Sequence, residues 1–110
     1  MTPQKYQFCL DACNACATAC ESCAASCLVE DNVKMMASCI ALDMDCSRIC
    51  SVAAGFLARG SLFAQHVCKL CADICHACAL ECGRHDAPHC QECAEACHRC
   101  AKECLAIFTD

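Results

Sequence analysis

Cysteine occupies nineteen of the 110 positions, and the intervals between cysteines are too regular to be accidental. Cys9, Cys13, Cys16, Cys20, Cys23 and Cys27 follow one another at alternating steps of four and three. Cys68, Cys71, Cys75, Cys78 and Cys82 repeat the alternation, as do Cys90, Cys93, Cys97, Cys100 and Cys104. On an α-helix such steps keep every side chain on one stripe, with a repeat of about 3.5 residues. A leucine stripe of this kind would be an ordinary bundle seam, but here the seam is made of thiols. A fourth stretch is sparser, with Cys39, Cys46 and Cys50. Extending its stripe by threes and fours adds Met36, Asp43, Ala53 and Leu57, which puts an acid at a seam position.

Packing does not explain the choice of residue. Cysteine is a small hydrophobe, and each methylene given up relative to leucine forfeits about 0.8 kcal/mol of burial. Metal binding does explain it. Residues three or four apart on a helix have Cβ atoms about 5–6 Å apart. One metal between two thiolates separates the sulfurs by roughly 4.6 Å, taking a bond of about 2.3 Å as for zinc. Neighbouring cysteines on one helix can therefore share a metal, and facing helices can add a third or fourth thiolate.

Charge selects the ion. With four thiolates per divalent ion, about five ions would bring about ten positive charges to nineteen thiolates and strand about nine negative charges in the interior. A monovalent soft ion at about one per thiolate leaves the interior near neutral. Thiolates select Cu(I), zinc and iron–sulfur clusters, and of these only Cu(I) fills a long column in that way. The expectation is many Cu(I) ions per chain, on the order of the cysteine count. A zinc–thiolate store and a redox or iron–sulfur electron-transfer protein are the alternatives. The ferredoxin run C-x2-C-x2-C-x3-C-P is missing, and no βαβ pattern accompanies any C-x-x-C as thioredoxin-like chemistry would need. Cys9, Cys13 and Cys16 match the triad of radical S-adenosylmethionine enzymes, a spacing that any such stripe produces, in a chain too short for their barrel.

The elements that must carry these stripes are four helices, expected at about residues 3–28, 32–58, 62–82 and 87–108. Thr2-Pro3 reads as an N-cap and first helical position, Asp31 or Asn32 as the cap of the second helix, and Asp86 with Pro88 as the start of the fourth. Gly60 and Gly83 read as helix stops. Four helices of similar length on short turns pack antiparallel, up-down-up-down, giving a single all-α domain over 1–110 with a cysteine-lined core. The column so formed would be about 30 Å long.

Composition narrows the field further. The disulfide-scaffold reading fails on an odd cysteine number, only three glycines and two prolines, and an N-terminus, MTPQKYQFC, without the pattern of a secretory signal. A reducing, cytoplasmic setting is expected. The net charge of −5 and the lack of a basic run argue against nucleic acid, and no apolar run approaches the roughly 18 residues of a membrane span.

The two bundle ends differ. One gathers Tyr6, Phe56, Leu57, Leu62, Phe63, Ile107 and Phe108, an apolar plug. The other gathers Leu28, Met35, Met36, His85, Asp86 and His89, whose thioethers and imidazoles suit Cu(I) and mark a mouth for the metal. His66, His76, His98 and Met44 lie off the stripes and read as surface. Leu42, Ile49, Val52 and Phe56, with Val67, Leu70 and Ile74, form second apolar stripes that suit either a subunit interface or packing within one bundle.

The chain as a whole resembles the bacterial copper storage proteins, in particular their cytosolic branch. The resemblance is carried by the six-cysteine stripe Cys9–Cys27, by Cys39-Ile-Ala-Leu-Asp43-Met-Asp-Cys46-Ser-Arg-Ile-Cys50, by Cys71-Ala-Asp-Ile-Cys75-His-Ala-Cys78, and by Glu81-Cys82-Gly83-Arg84-His85-Asp86 leading to His89-Cys90. The turn between the last two helices has Ala87-Pro88 where relatives can have further polar residues. The resemblance implies a non-enzymatic four-helix bundle, usually a homotetramer, that holds many Cu(I) ions through cysteine thiolates. By the same resemblance Asp43, His85 and His89 are candidate ligands, and Met36 joins them from its place at the mouth.

Overall fold

The structure is a computed structural model and describes residues 1–110. Four helices, α1 (Gln7–Leu28), α2 (Ala37–Ala58), α3 (Ala64–Cys82) and α4 (Pro88–Thr109), form an elongated body of 45 × 21 × 18 Å. The thiol pairing fixes their directions. Cys9 meets Cys104 while Cys27 meets Cys90, so α1 and α4 run antiparallel. Cys39 meets Cys82, Cys46 meets Cys75 and Cys50 meets Cys71, so α2 and α3 do the same. The bundle is up-down-up-down, as the stripes require.

Helix starts differ from the sequence expectation. Short 3-10 turns, Gln4–Tyr6 and Val33–Met36, stand in place of the expected first turns of α1 and α2. Neither Asp31 nor Asn32 caps α2, and Asp86 does not cap α4. The tighter 3-10 turn takes up the leading backbone groups instead. At α4 the proline sets the boundary: Pro88 at the first position excludes the helical conformation for Ala87, which is extended at φ −57° and ψ 134°. Thr2 does not cap α1 either. Its hydroxyl donates to the Ala58 carbonyl at 3.0 Å, tying the N-terminus across the end of α2.

The core explains why this geometry is reached. All nineteen cysteines are buried, and alanines such as Ala12, Ala53, Ala54, Ala72, Ala79 and Ala94 flank them. Small side chains beside each seam let the helices approach closely enough for thiols to touch across the axis. The only buried apolar side chains larger than cysteine are Met36, Leu57 and Ile107. Met36 closes one end of the column; Leu57 and Ile107 close the other. That second end is narrower in composition than expected. Tyr6 and Phe56 are half-buried, but Leu62, Phe63 and Phe108 face solvent. Of the second stripes, Leu42, Ile49, Val67 and Ile74 pack against the core, while Val52 and Leu70 remain exposed.

The turn after α2 is the one place where backbone conformation demands glycine. Ser61 N–H bonds Phe56 O and Gly60 N–H bonds Leu57 O, both at 3.0 Å, the pair of contacts of a Schellman stop. Gly60 has φ +63°, and a Cβ there would sit 3.1 Å from Pro3. Gly60→Ala is expected to destabilise the metal-free protein by about 1–2 kcal/mol, the cost of a left-handed residue with a side chain. Thermal unfolding of the reduced protein measures it.

Candidate metal centre

Each helix delivers its cysteines to the axis because steps of three and four never leave the stripe, and the four stripes interleave into one continuous ladder of sulfur. At the apolar end Cys9 and Cys13 approach Cys104 at 3.6 and 3.8 Å, and Cys68 shares this layer. Next come Cys13 with Cys100, and Cys50 with Cys71, Cys75 and Cys100, at 3.6–3.8 Å. At mid-column Cys46 contacts Cys16, Cys75 and Cys97 at 3.5–3.9 Å. Cys20 joins Cys97 to Cys93 at 3.7 Å. Toward the mouth lie Cys39 with Cys82 at 3.2 Å, and the triangle of Cys23, Cys27 and Cys90 with all three sides 3.9 Å.

These separations suit a soft metal in low coordination. Three thiolates around one ion at about 2.3 Å lie roughly 4.0 Å apart, and two in line lie roughly 4.6 Å apart. The ladder is already at the first spacing and needs only slight widening for the second. Sets such as Cys16, Cys46, Cys50 and Cys75, or Cys13, Cys71, Cys100 and Cys104, have all their sulfurs within 4.8 Å of one another. Cys16, Cys20 and Cys46 with Cys97 share members with their neighbours, so the column is a continuous array rather than a row of separate cages. No pair is bonded: all nineteen thiols are free.

Burial holds the outermost of these thiols in the protonated form. Loss of water, the largest cause, raises Cys27 to about 12 and Cys90 to about 11. Metal uptake must therefore expel protons.

Asp43 sits fully buried in the gap that α2 leaves in its stripe. Its Oδ1 accepts hydrogen bonds from Cys93 at 3.2 Å and from Cys78 and Cys82 at 3.4 Å, and Cys39 reaches Oδ2 at 3.9 Å. Burial raises its carboxyl to about 8. A carboxylate oxygen is a hard donor among soft ones, so this position is better matched to S–H groups and their protons than to Cu(I) itself.

The mouth histidines are placed differently from one another. His89 Nδ1 lies 3.5 Å from both Cys23 Sγ and Cys90 Sγ, directly over the last thiol triangle. His85 pairs with Glu81 at 2.9 Å and lines the outer groove with Glu30, Asn32, Met35, Met36 and Asp86. Met36 is buried beneath this groove, whereas Met35 is exposed. His66, His76, His98 and Met44 are exposed, off the column.

Three polar partners escaped sequence reasoning. Glu81 stands four residues before His85, a helical spacing that could have shown it. Glu30 reaches His89 across 59 positions, and Ser47 donates to Glu21 across 26, distances that no local pattern encodes.

Comparison with known proteins agrees with the geometry. The copper storage protein family pattern matches residues 2–109, and the chain belongs to that family. It is 45% identical over 87 residues to the cysteine-rich protein YhjQ of Bacillus subtilis, covering 79% of this chain and 81% of that one. The Cu(I)-bound copper storage protein BsCsp3 superposes with a TM-score of 0.92 at 43% identity, over 96% of this chain and 99% of the other. A cytosolic copper storage protein from Streptomyces lividans, loaded with five coppers, superposes at 0.93 and 36% identity, over 97% and 94%.

The raised carboxyl of Asp43 has a consequence for the metal-free protein. A carboxyl that ionises near pH 8 when folded but near 3.8 in the open chain favours folding below that window and opposes it as pH rises through the window. The reduced apo-protein is expected to lose on the order of 1–3 kcal/mol of this contribution between acid and mildly alkaline pH. Chemical denaturation across that range should show the loss, and Asp43→Asn should remove it.

Proposed function

We propose that this protein stores and buffers Cu(I) in the cytosol, taking on the order of one ion per cysteine along the thiol column. The observation that carries the reading is the column of nineteen free, buried thiols, eighteen of which have a neighbouring sulfur 3.2–4.0 Å away. A monovalent soft ion replacing each S–H proton leaves such an interior neutral, which a divalent ion in four-thiolate sites does not. The family and its copper-loaded members support the same cargo and the same compartment.

The ligands are the nineteen cysteines, supplemented at the mouth by His89, His85 and Met36. Asp43 takes part as an oxygen ligand or as the acceptor of thiol protons. The role is binding rather than catalysis, because the axis is filled by sulfur and leaves room for ions but not for an organic substrate. Several copies assemble into a homo-oligomer, a tetramer by family resemblance, and the exposed apolar residues Met44, Val52 and Leu70 on α2 and α3 support such an assembly. No helix is long and apolar enough to cross a membrane.

Anaerobic titration of the reduced protein with Cu(I), against a competing chelator, tests the reading. Saturation is expected near one equivalent per cysteine, with about one proton released per ion at neutral pH. Saturation at two to five ions, or iron in the protein as isolated, would point instead to four-thiolate zinc or iron–sulfur chemistry.

A further inference from the structure

Two turns from opposite ends of the sequence meet over the mouth of the column. Glu30, in the turn after α1, and His89, in the first turn of α4, are joined by a contact of 2.8 Å between Glu30 Oε1 and His89 Nε2. Both side chains are partly buried, with exposures of 35% and 21%. The other ring nitrogen, Nδ1, faces inward, 3.5 Å from the sulfurs of Cys23 and Cys90. The imidazole is thus held at both edges, with acid outside and thiols inside.

The chemistry of the two edges is not interchangeable. A carboxylate has no proton to give and only accepts, so the nitrogen facing Glu30 must carry the hydrogen. In the neutral ring that leaves Nδ1 as the unprotonated nitrogen, with its lone pair toward Cys23 and Cys90. Before metal arrives this lone pair can accept an S–H; when Cu(I) arrives it is free to bind the ion without first losing a proton. The opposite tautomer would put a nitrogen with no hydrogen against the carboxylate and an N–H among the thiols.

We propose that Glu30 is a positioning residue for copper capture, fixing His89 as the Nε2–H tautomer and presenting its unprotonated Nδ1, with the thiols of Cys23, Cys27 and Cys90, to the first Cu(I) ion at the mouth. The proposal rests on the storage reading for its ligand, but the arrangement of the ring belongs to the metal-free protein. Carboxylates that hold ligating histidines in this way typically contribute 10–100-fold to metal affinity. Glu81 makes a similar contact with His85 at 2.9 Å, but it also bonds Arg84 and lies within one helical turn of its histidine. Glu30 instead connects two separate elements across the mouth.

The test combines nitrogen NMR of the reduced, metal-free protein with Cu(I) competition titrations. In the unaltered protein, His89 in its neutral form is expected to show one tautomer, with hydrogen on Nε2. In Glu30→Ala that single form should give way to a mixture, and affinity for the first Cu(I) equivalent should fall about tenfold or more with total capacity unchanged. Glu30→Gln keeps an acceptor oxygen but adds an amide N–H that can serve the other tautomer, so it should recover only part of the loss. In a His89→Ala background Glu30→Ala should have no further effect, because Glu30 acts through that ring. An unaltered tautomer and first-ion affinity in Glu30→Ala would overturn the proposal, as would an undiminished effect of Glu30→Ala in the His89→Ala background. Low total capacity in the unaltered protein would instead count against storage, while the tautomer measurement still decides whether Glu30 sets the ring.

Discussion

The structure depends on one electrostatic constraint: sulfur placed on the axis of a bundle cannot be left as a bare anion. Taking an unpaired charge from water into a protein interior costs several kcal/mol even after relaxation, and here the cost would be repeated along the whole axis. Every thiol must therefore hold either its own proton or a cation. The column has two self-consistent states, one protonated and one filled with about one soft monovalent ion per sulfur. Exchange of one for the other leaves the interior charge almost unchanged, which is how so many sites can fill inside a single small core.

The fold serves that exchange in several ways. Alanines beside the stripes bring the helices close enough for neighbouring sulfurs to share an ion. Buried side chains larger than cysteine are confined to the ends, with Leu57 and Ile107 at one and Met36 at the other. Asp43 interrupts the sulfur ladder where α2 has no cysteine, and takes hydrogen bonds from Cys78, Cys82 and Cys93. A thiol core contributes less burial than a leucine core of the same length, so the ions also stabilise the fold, since ligands that bind only the native state shift the folding equilibrium toward it.

Much of this is legible in the sequence because the responsible signal is periodic. Alternating steps of three and four define helix, stripe and seam at once, and a gap in the pattern at Asp43 marks the only acid that reaches the axis. Turn chemistry is less legible. Gly60 stops α2 as its residue type implies, but Thr2, Asp31, Asn32 and Asp86 are cap-forming residues that do not cap, since 3-10 turns and Pro88 satisfy those helix starts by other means. Leu62, Phe63 and Phe108 belong to a plug by their place along the helices, yet they face solvent, and Leu57 and Ile107 are the large apolar side chains buried at that end. The contact of Glu30 with His89 is not legible at all, for it depends on two turns meeting in space.

On the storage reading, metal occupies the whole length of the column and is not confined to its mouth. Anomalous scattering at the copper edge from crystals of the fully loaded protein tests it directly. The prediction is a continuous series of copper sites from the layer of Cys9, Cys68 and Cys104 to that of Cys23, Cys27 and Cys90, each bound by two or three sulfurs. Copper found only beside His85 and His89, or in a few isolated four-sulfur sites, would contradict it.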